Sequence, residues 1–405
     1  MNDIVFQGAT VMLPDDIVET DVRISGTQIV EIGGSAQGAK VVEAQGLILA
    51  PALIDVHGDA FERQIMPRPG VFFAMDLALL ETDRQLGANG IATTYHSLTF
   101  SWEPGLRSVD RGREFLAELA RLKPRLTVEN RVQLRWETFA FDAVETIAEA
   151  LASSLTPSLA FNDHTSMGMR GFDVPIQRGA FEQSPDFVLA DPADPRMHNR
   201  VTSQAKRAGL SVDEYLALRA SVWDRRAEVD GNIRQLAETA RSVGAPMLSH
   251  DDTQVETRDY YHSLGARVSE FPMTIEPTRH ARGLSNPIIF GAPNVVRGGS
   301  HIGSLSAADM VEEGLCDALA SDYFYPALLC AVARLDAEKR ADRLTLWSLV
   351  SAGPAQAMNL TDRGQIAPGK RADLVLLDWP KGQTPVIRAT YSAGRCAYAA
   401  RPQAA

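Results

Sequence analysis

The sequence predicts a parallel (β/α)8 barrel carrying a small β-sandwich built from both chain ends. Three observations lead there. Short apolar runs of strand length alternate with helical stretches through the middle of the chain, eight such runs can be counted, and both ends read as β. The runs are Leu53–Val56, Ile91–Tyr95, Arg131–Trp136, Ser158–Asn162, Pro246–Ser249, Arg267–Glu270, Pro287–Phe290 and Asp317–Ser321. No Gly-rich dinucleotide fingerprint follows any of them, which weighs against an open doubly wound sheet. A chain of 405 residues exceeds what one compact core usually holds. The expected division is 1–50 with 361–405 for the sandwich and 51–360 for the barrel.

Taken in order, Asp21–Ile32 alternates polar and apolar residues around a Ser25-Gly26 turn, the pattern of a hairpin. Ala78–Leu86 reads as a helix that stops near Gly87 and Gly90. Thr165–Leu210, rich in Pro, Asp and Gly, reads as a long loop able to cover the barrel mouth. Ser211-Val-Asp-Glu214 is a capping box opening a helix through Arg226, and Ile233–Ser242 continues the helical pattern. Past the Pro368-Gly369 turn, Lys370–Asp378 and Pro385–Tyr391 are strand-like and return the chain to the first sheet.

Charged residues make up 22% and hydrophobic residues 45%, the balance of a soluble globular protein. No window is long and apolar enough to span a bilayer, and the N-terminus lacks a basic n-region and a secretory h-region, so a cytoplasmic protein is expected. Cys316, Cys330 and Cys396 are scattered without metal-type spacing and fit free thiols in a reducing compartment. A net charge of −11 argues against a nucleic-acid partner. A small-molecule substrate is the expected partner, and a homo-oligomer is compatible with the sequence.

Barrel chemistry sits at the carboxyl ends of strands. On the first run, His57 and Asp59 are two residues apart and share a face, offering an imidazole nitrogen and a carboxylate oxygen to one divalent cation such as zinc. Later strand ends add Glu137, Asp163-His164, His250-Asp251-Asp252, Glu270 and Asp322. Three histidines at the ends of different strands are hard to reconcile with buried structural roles, because unpaired buried polar groups are costly. His198, His262 and His280 fall in helix or loop contexts and read as surface residues. After the seventh run, Arg297-Gly298-Gly299-Ser300-His301 offers a guanidinium, backbone N–H groups and a hydroxyl, the makings of an anion-binding loop. Arg63, Arg68 and Arg279 are weaker anion-binding candidates. No P-loop sequence occurs.

This pattern of a first-strand His-x-His/Asp, later histidines and an eighth-strand aspartate resembles the amidohydrolase superfamily, as does the tail Asn359–Val375. A narrower resemblance is to the α-D-ribose 1-methylphosphonate 5-triphosphate diphosphatases of phosphonate metabolism. It is carried by Met66-Pro-Arg-Pro69, Asp163-His-Thr-Ser166, Ser249-His-Asp-Asp252, Glu270-Phe-Pro-Met-Thr274, Gly291–Gly303 and Ser321-Asp-Tyr323. The resemblance implies one or two divalent metals held by His57, Asp59, Glu137, His164 and His250. It also implies Asp322 as the aspartate handling the proton of the attacking water, and removal of pyrophosphate from a ribose 5-triphosphate. His57-Gly58-Asp59 departs from the His-Thr-Asp of the diphosphatases, the segment His96–Arg107 diverges, and Glu270 stands where the superfamily usually has a histidine. Arg297, Gly298, Gly299, Ser300, His301, Arg68 and Glu270 are then the expected substrate contacts. The same metal-and-water machinery would serve an amidohydrolase or deaminase acting on a cyclic or N-acyl amide, which is the alternative.

Overall fold

The chain opens with five strands, β1 (Ile4–Met12), β2 (Ile17–Ser25), β3 (Gln28–Ile32), β4 (Lys40–Glu43) and β5 (Ile48–Pro51), in a computed structural model that describes residues 3–172, 188–191, 194–299 and 305–400. β2 and β3 form the expected hairpin, with Gly26 at φ 57°, a left-handed turn position that suits a residue without Cβ. Eight strands follow: β6 (Leu53–Gly58), β7 (Ile91–Phe100), β8 (Glu129–Glu137), β9 (Ser158–Asn162), β10 (Met247–His250), β11 (Val268–Glu270), β12 (Ile288–Gly291) and β13 (Ala318–Ala320). They pair in sequence order, each parallel to the next. The ring closes where the Asp322 N–H donates to His57 O and the Asp59 N–H donates to Asp322 O, both at 2.9 Å. Finally β14 (Leu374–Asp378), β15 (Val386–Ser392) and β16 (Arg395–Ala399) rejoin the first sheet, whose order is β16-β15-β14-β5-β1-β2-β3 with β4 beside β1. The protein is therefore a (β/α)8 barrel plus a β-sandwich whose own core, including Phe6, Val22, Leu49 and Leu374, draws on both ends of the chain.

Each of the eight predicted runs falls on a barrel strand. β7 extends five residues further than the run predicts because its second half mixes His96, Ser97 and Thr99 with Leu98 and Phe100, yet is wholly buried. There His96, for example, shares a 2.7 Å hydrogen bond with Asn130. Ser211 and Glu214 form the full capping box, but the helix they open, Val212–Asp224, stops short of Arg226 and passes into a 3-10 turn. The expected loop over 165–210 is corrected further. Among its described residues, His164–Met169 and Pro195–Ala208 are helices. The Asp194-Pro195 pair that looked like loop punctuation is a helix start, with the Asp194 carboxylate accepting from the Arg196 N–H at 2.8 Å and Pro195 in the first turn. Residues 173–187 and 192–193 of that segment, like Ser300 and His301, lie outside the described residues.

Strand alternation decides what faces the site. On β8, Val132, Leu134 and Trp136 point outward into the core beneath the helices. Glu129, Arg131, Gln133, Arg135 and Glu137 share the opposite, inward face. The closing seam is fixed from below by the buried Asp55 carboxylate, which accepts from the Ser321 N–H at 3.0 Å and from the Ser321 hydroxyl. That carboxylate also accounts for Gly58, where a Cβ would lie 2.5 Å from Asp55 Oδ2.

Candidate active site

The strand ends gather into one donor cluster. Ligating atoms lie within 4.8 Å of one another in each of three groups: His57 with His250 and Glu270, His164 with His250 and Asp251, and His57 with Asp59 and Asp322. His57 Nδ1 is 3.1 Å from Glu270 Oε1, and His250 Nε2 is 3.9 Å from Glu270 Oε2. Asp251 Oδ2 sits 3.0 Å from His164 Nε2 and 3.1 Å from His250 Nδ1. Glu137 lies on the far side of His164, 3.1 Å from its Nδ1, and accepts from the His164 N–H at 3.1 Å.

These contacts are close without being hydrogen bonds throughout. His57 Nδ1, both ring nitrogens of His250 and Glu270 Oε2 are buried yet lack hydrogen-bond geometry to any partner. Buried polar atoms are normally satisfied, so convergent lone pairs left open form a donor set suited to a divalent cation. The electrostatics agree. Burial draws the His57 imidazole down, but the adjacent Glu270 carboxylate outweighs it and holds His57 above the usual histidine range. Burial would raise Glu270, yet His57 and His250 hold it below the usual carboxylate range. The inner side of the His164 ring is desolvated, but Glu137 and Asp251 lift it to about 9, so the place favours a positive charge. His250, buried and facing Arg135, is pushed down to about 4 and stays in the neutral, ligand-competent form.

Backbone geometry aims the cluster. Asp251, Phe271 and Asp322, each just beyond a strand, are left-handed with φ of 58°, 54° and 54°. Such residues are uncommon outside glycine and concentrate at functional sites. Phe271 packs its ring 4.9 Å from His57 and 5.3 Å from His250, shielding both imidazoles from solvent.

A cavity of about 270 Å³ opens above these residues, lined by His57, Arg135, His250, Asp251 and Asp322 on its polar side and by Phe271, Met273, Phe290 and Pro293 on its apolar side. Arg297 and Gly299 line it too. Of the expected anion-binding loop, two backbone donors are engaged within the chain, and Ser300 and His301 lie outside the described residues. A short helix, Ala292–Arg297, separates the strand from the glycines. The Gly298 N–H donates to Val295 O at 3.1 Å and the Gly299 N–H to Asn294 O at 2.9 Å. Both groups cap the helix end, as glycines there commonly do, and are not turned to an anion. Arg68 sits on an exposed loop bridged to Val71 and does not line the cavity. Glu270 is fully buried, against the His57 imidazole.

Asp163 caps the helix beginning at His164, accepting from the Ser166 N–H at 2.8 Å, and burial pushes it up to about 6. Asp252 turns away to the buried Arg258, 3.3 Å distant. Among the other histidines, His198 is exposed, while His280 pairs with Asp259 at 2.6 Å and His262 contacts Asn286 at 3.0 Å. Sequence reasoning missed Arg135 and Phe271. The signal for Arg135 was present, since it lies two residues before Glu137 on one strand face. Phe271 depends on a left-handed turn that nothing in its side chain announces.

Residues 195–398 match the amidohydrolase family. The chain is 28% identical over 385 residues to the alpha-D-ribose 1-methylphosphonate 5-triphosphate diphosphatase of Escherichia coli K12, spanning 92% of this chain and 94% of that protein. It is 27% identical over 379 residues to an adenine deaminase of Methylobacterium sp. 4-46, spanning 93% of this chain but 55% of the deaminase. Among solved structures, an amidohydrolase from a Sargasso Sea environmental sample superposes with a TM-score of 0.63 at 15% identity, covering 98% of this chain and 93% of the other. Phenylurea hydrolase B gives 0.61 at 14% identity, covering 98% and 96%. Both likenesses speak to the fold. With family match, barrel and strand-end donors in agreement, the chain belongs to the amidohydrolase family, hydrolases whose members bind divalent metals.

Proposed function

We propose that this hydrolase removes pyrophosphate from a ribose 1-methylphosphonate 5-triphosphate-like substrate, leaving the 5-phosphate. The observation that carries the reading is Arg297, which lines the same cavity as His57, His250 and Asp322. The similarity to a diphosphatase over nearly the full length of both chains supports it.

His57, His250 and Glu270 would hold one divalent ion, zinc being one that imidazole and carboxylate donors suit, and His164 and Asp251 with His250 a second. Asp59 and Glu137 complete the surrounding carboxylates. Such an ion, when bound, lowers the pKa of water and polarises the oxygen of the group attacked. The chain's own residues do the rest. Asp322, its backbone fixed to His57 across the barrel seam, takes the proton of the attacking water and returns it to the leaving oxygen. Arg297 pairs with the departing phosphate chain through charge-assisted hydrogen bonds. Phe271 keeps bulk water from the imidazoles.

A second reading, an amidohydrolase or deaminase acting on a cyclic or N-acyl amide, draws on the apolar wall formed by Phe271, Met273 and Phe290 and on the similarity to adenine deaminase. A substrate panel separates the two. Metal-loaded enzyme should release pyrophosphate from ribose 5-triphosphates and leave adenine, hydantoins and N-acyl amino acids unchanged. Arg297→Ala should weaken use of the triphosphate by about 1–2 kcal/mol, the scale of a charge-assisted hydrogen bond at an exposed guanidinium. Ammonia release from adenine, with Arg297→Ala mild, would transfer the assignment to the second reading.

A further inference from the structure

Arg135 is 6% exposed, its Nε has no partner, and among the described residues its side chain makes no hydrogen bond or ion pair. It stands on the inward face of β8 and lines the cavity with His57, His250 and Asp251. The carboxylates around it are turned elsewhere. Glu137 faces Asn162 and His164, Asp251 faces two imidazoles, and Glu270 faces His57 and Gln133. An arginine so buried without a counter-charge is costly, and two other buried arginines avoid that cost, while a third, Arg219, turns its guanidinium to the Met197 sulfur at 3.6 Å. Arg258 has Asp252 at 3.3 Å, and Arg363 has Glu129 at 2.8 Å.

We infer that Arg135 is a substrate-binding residue whose missing partner is the phosphoryl group attacked in the reaction. β8 and β12 stand four places apart in the ring of eight strands, so Arg135 and the Arg297 that follows β12 rise from opposite walls of the mouth. Arg297 is exposed and Arg135 is buried among the imidazoles. The pair therefore grades the site by depth, with Arg135 holding the phosphate next to the bond that breaks and Arg297 the outer end of the chain. This rests on the diphosphatase reading and adds to it the group that grips the reacting centre.

The test uses inorganic phosphate as probe and metal-loaded, full-length protein. Phosphate binding is measured by calorimetry for wild type, Arg135→Met, Arg135→Gln and Arg297→Ala, alongside thermal melts. Arg135→Met and Arg135→Gln should weaken phosphate by about tenfold or more while the melting temperature holds or rises, because a buried unpaired charge has been removed. Arg297→Ala should weaken phosphate less, and added guanidinium should restore part of the turnover lost in Arg135→Gln. A structural arginine would give the reverse pattern, a lower melting temperature with unchanged phosphate affinity, and that result overturns the inference. If both Met and Gln variants fail to fold, the arginine is structural and the inference falls as well. Arg135-dependent phosphate binding in an enzyme that releases no pyrophosphate from triphosphates would end the diphosphatase reading while leaving the anion site in place.

Discussion

At its start β8 carries Glu129 and Arg131, and at its end Arg135 and Glu137, all on one inward face. Around Glu129 every charge is answered: Arg131 at 2.6 Å, Arg363 at 2.8 Å, and Arg371, which also lies 3.3 Å from Asp373. Arg363 adds a 2.9 Å hydrogen bond to Thr93. At the other end the Arg135 side chain has no partner among the described residues, and His57 Nδ1 and both ring nitrogens of His250 lack a hydrogen bond. The same residue types thus do different jobs on a single strand. Satisfied polar groups hold the barrel to the sandwich, and unsatisfied ones wait for a ligand. Completeness of hydrogen bonding distinguishes the two better than residue identity does.

The largest effect that would sharpen this contrast is at the open end. Asp322→Asn should lower turnover by about 10²- to 10⁴-fold, the scale of a lost acid/base group, with an unchanged melting temperature. His57→Ala should in addition lose bound metal by elemental analysis. Wild-type turnover in metal-loaded Asp322→Asn would remove the proton-transfer role.

The closed end should respond in the opposite sense. Glu129→Gln removes one counter-charge shared by Arg363 and Arg371, which keep Asp362 and Asp373 nearby, and should cost about 1–3 kcal/mol of stability, with turnover per folded molecule unchanged. Burial would raise the Glu129 carboxyl, but Arg363, Arg371 and Arg131 together hold it down, at about 2. Because the folded value lies below the ordinary value of 4.5, the carboxylate's contribution is complete above that pH and lost as pH falls toward 2. Melts of wild type and Glu129→Gln should converge across that window. A constant gap would show that the loss is steric rather than electrostatic.

Gly58→Ala tests the seam between the two ends and should show an intermediate effect. Its Cβ would collide with Asp55 Oδ2, so a destabilisation of about 1–3 kcal/mol is expected, together with reduced turnover because His57 and Asp322 shift. The smallest effect belongs to His198→Ala, on the exposed face of the helix Pro195–Ala208, which should stay within about 0.5 kcal/mol of wild type and keep full activity.

The barrel was legible because each strand is a short apolar run and because polar residues placed just beyond such runs can only lie at the mouth. His57, His164, His250 and Asp322 were readable on that basis as residues that would meet. What stayed hidden depends on pairing across the ring or on backbone handedness. The emptiness around Arg135 is a property of several strands together, and the left-handed turn at Phe271 follows a strand too short to signal it. Gly298 and Gly299 misled for a related reason. Glycines after an arginine suit an anion loop and a helix end equally well, and only the intervening helix decides between them. Asp194-Pro195 has the same ambiguity between loop and helix start.

The hydrogen bonds that close the ring join its first strand to its last, as when Ser321 meets Asp55 from 266 positions away in the chain. During synthesis the ribosome therefore releases His57 and Asp59 long before the aspartate they face exists. A nascent or truncated chain holds isolated donors but no enclosed pocket, and long-range pairings of this kind form late. Hydrolytic competence thus waits until Ser321 and Asp322 have been made, and fragments that stop short of them should carry none of it.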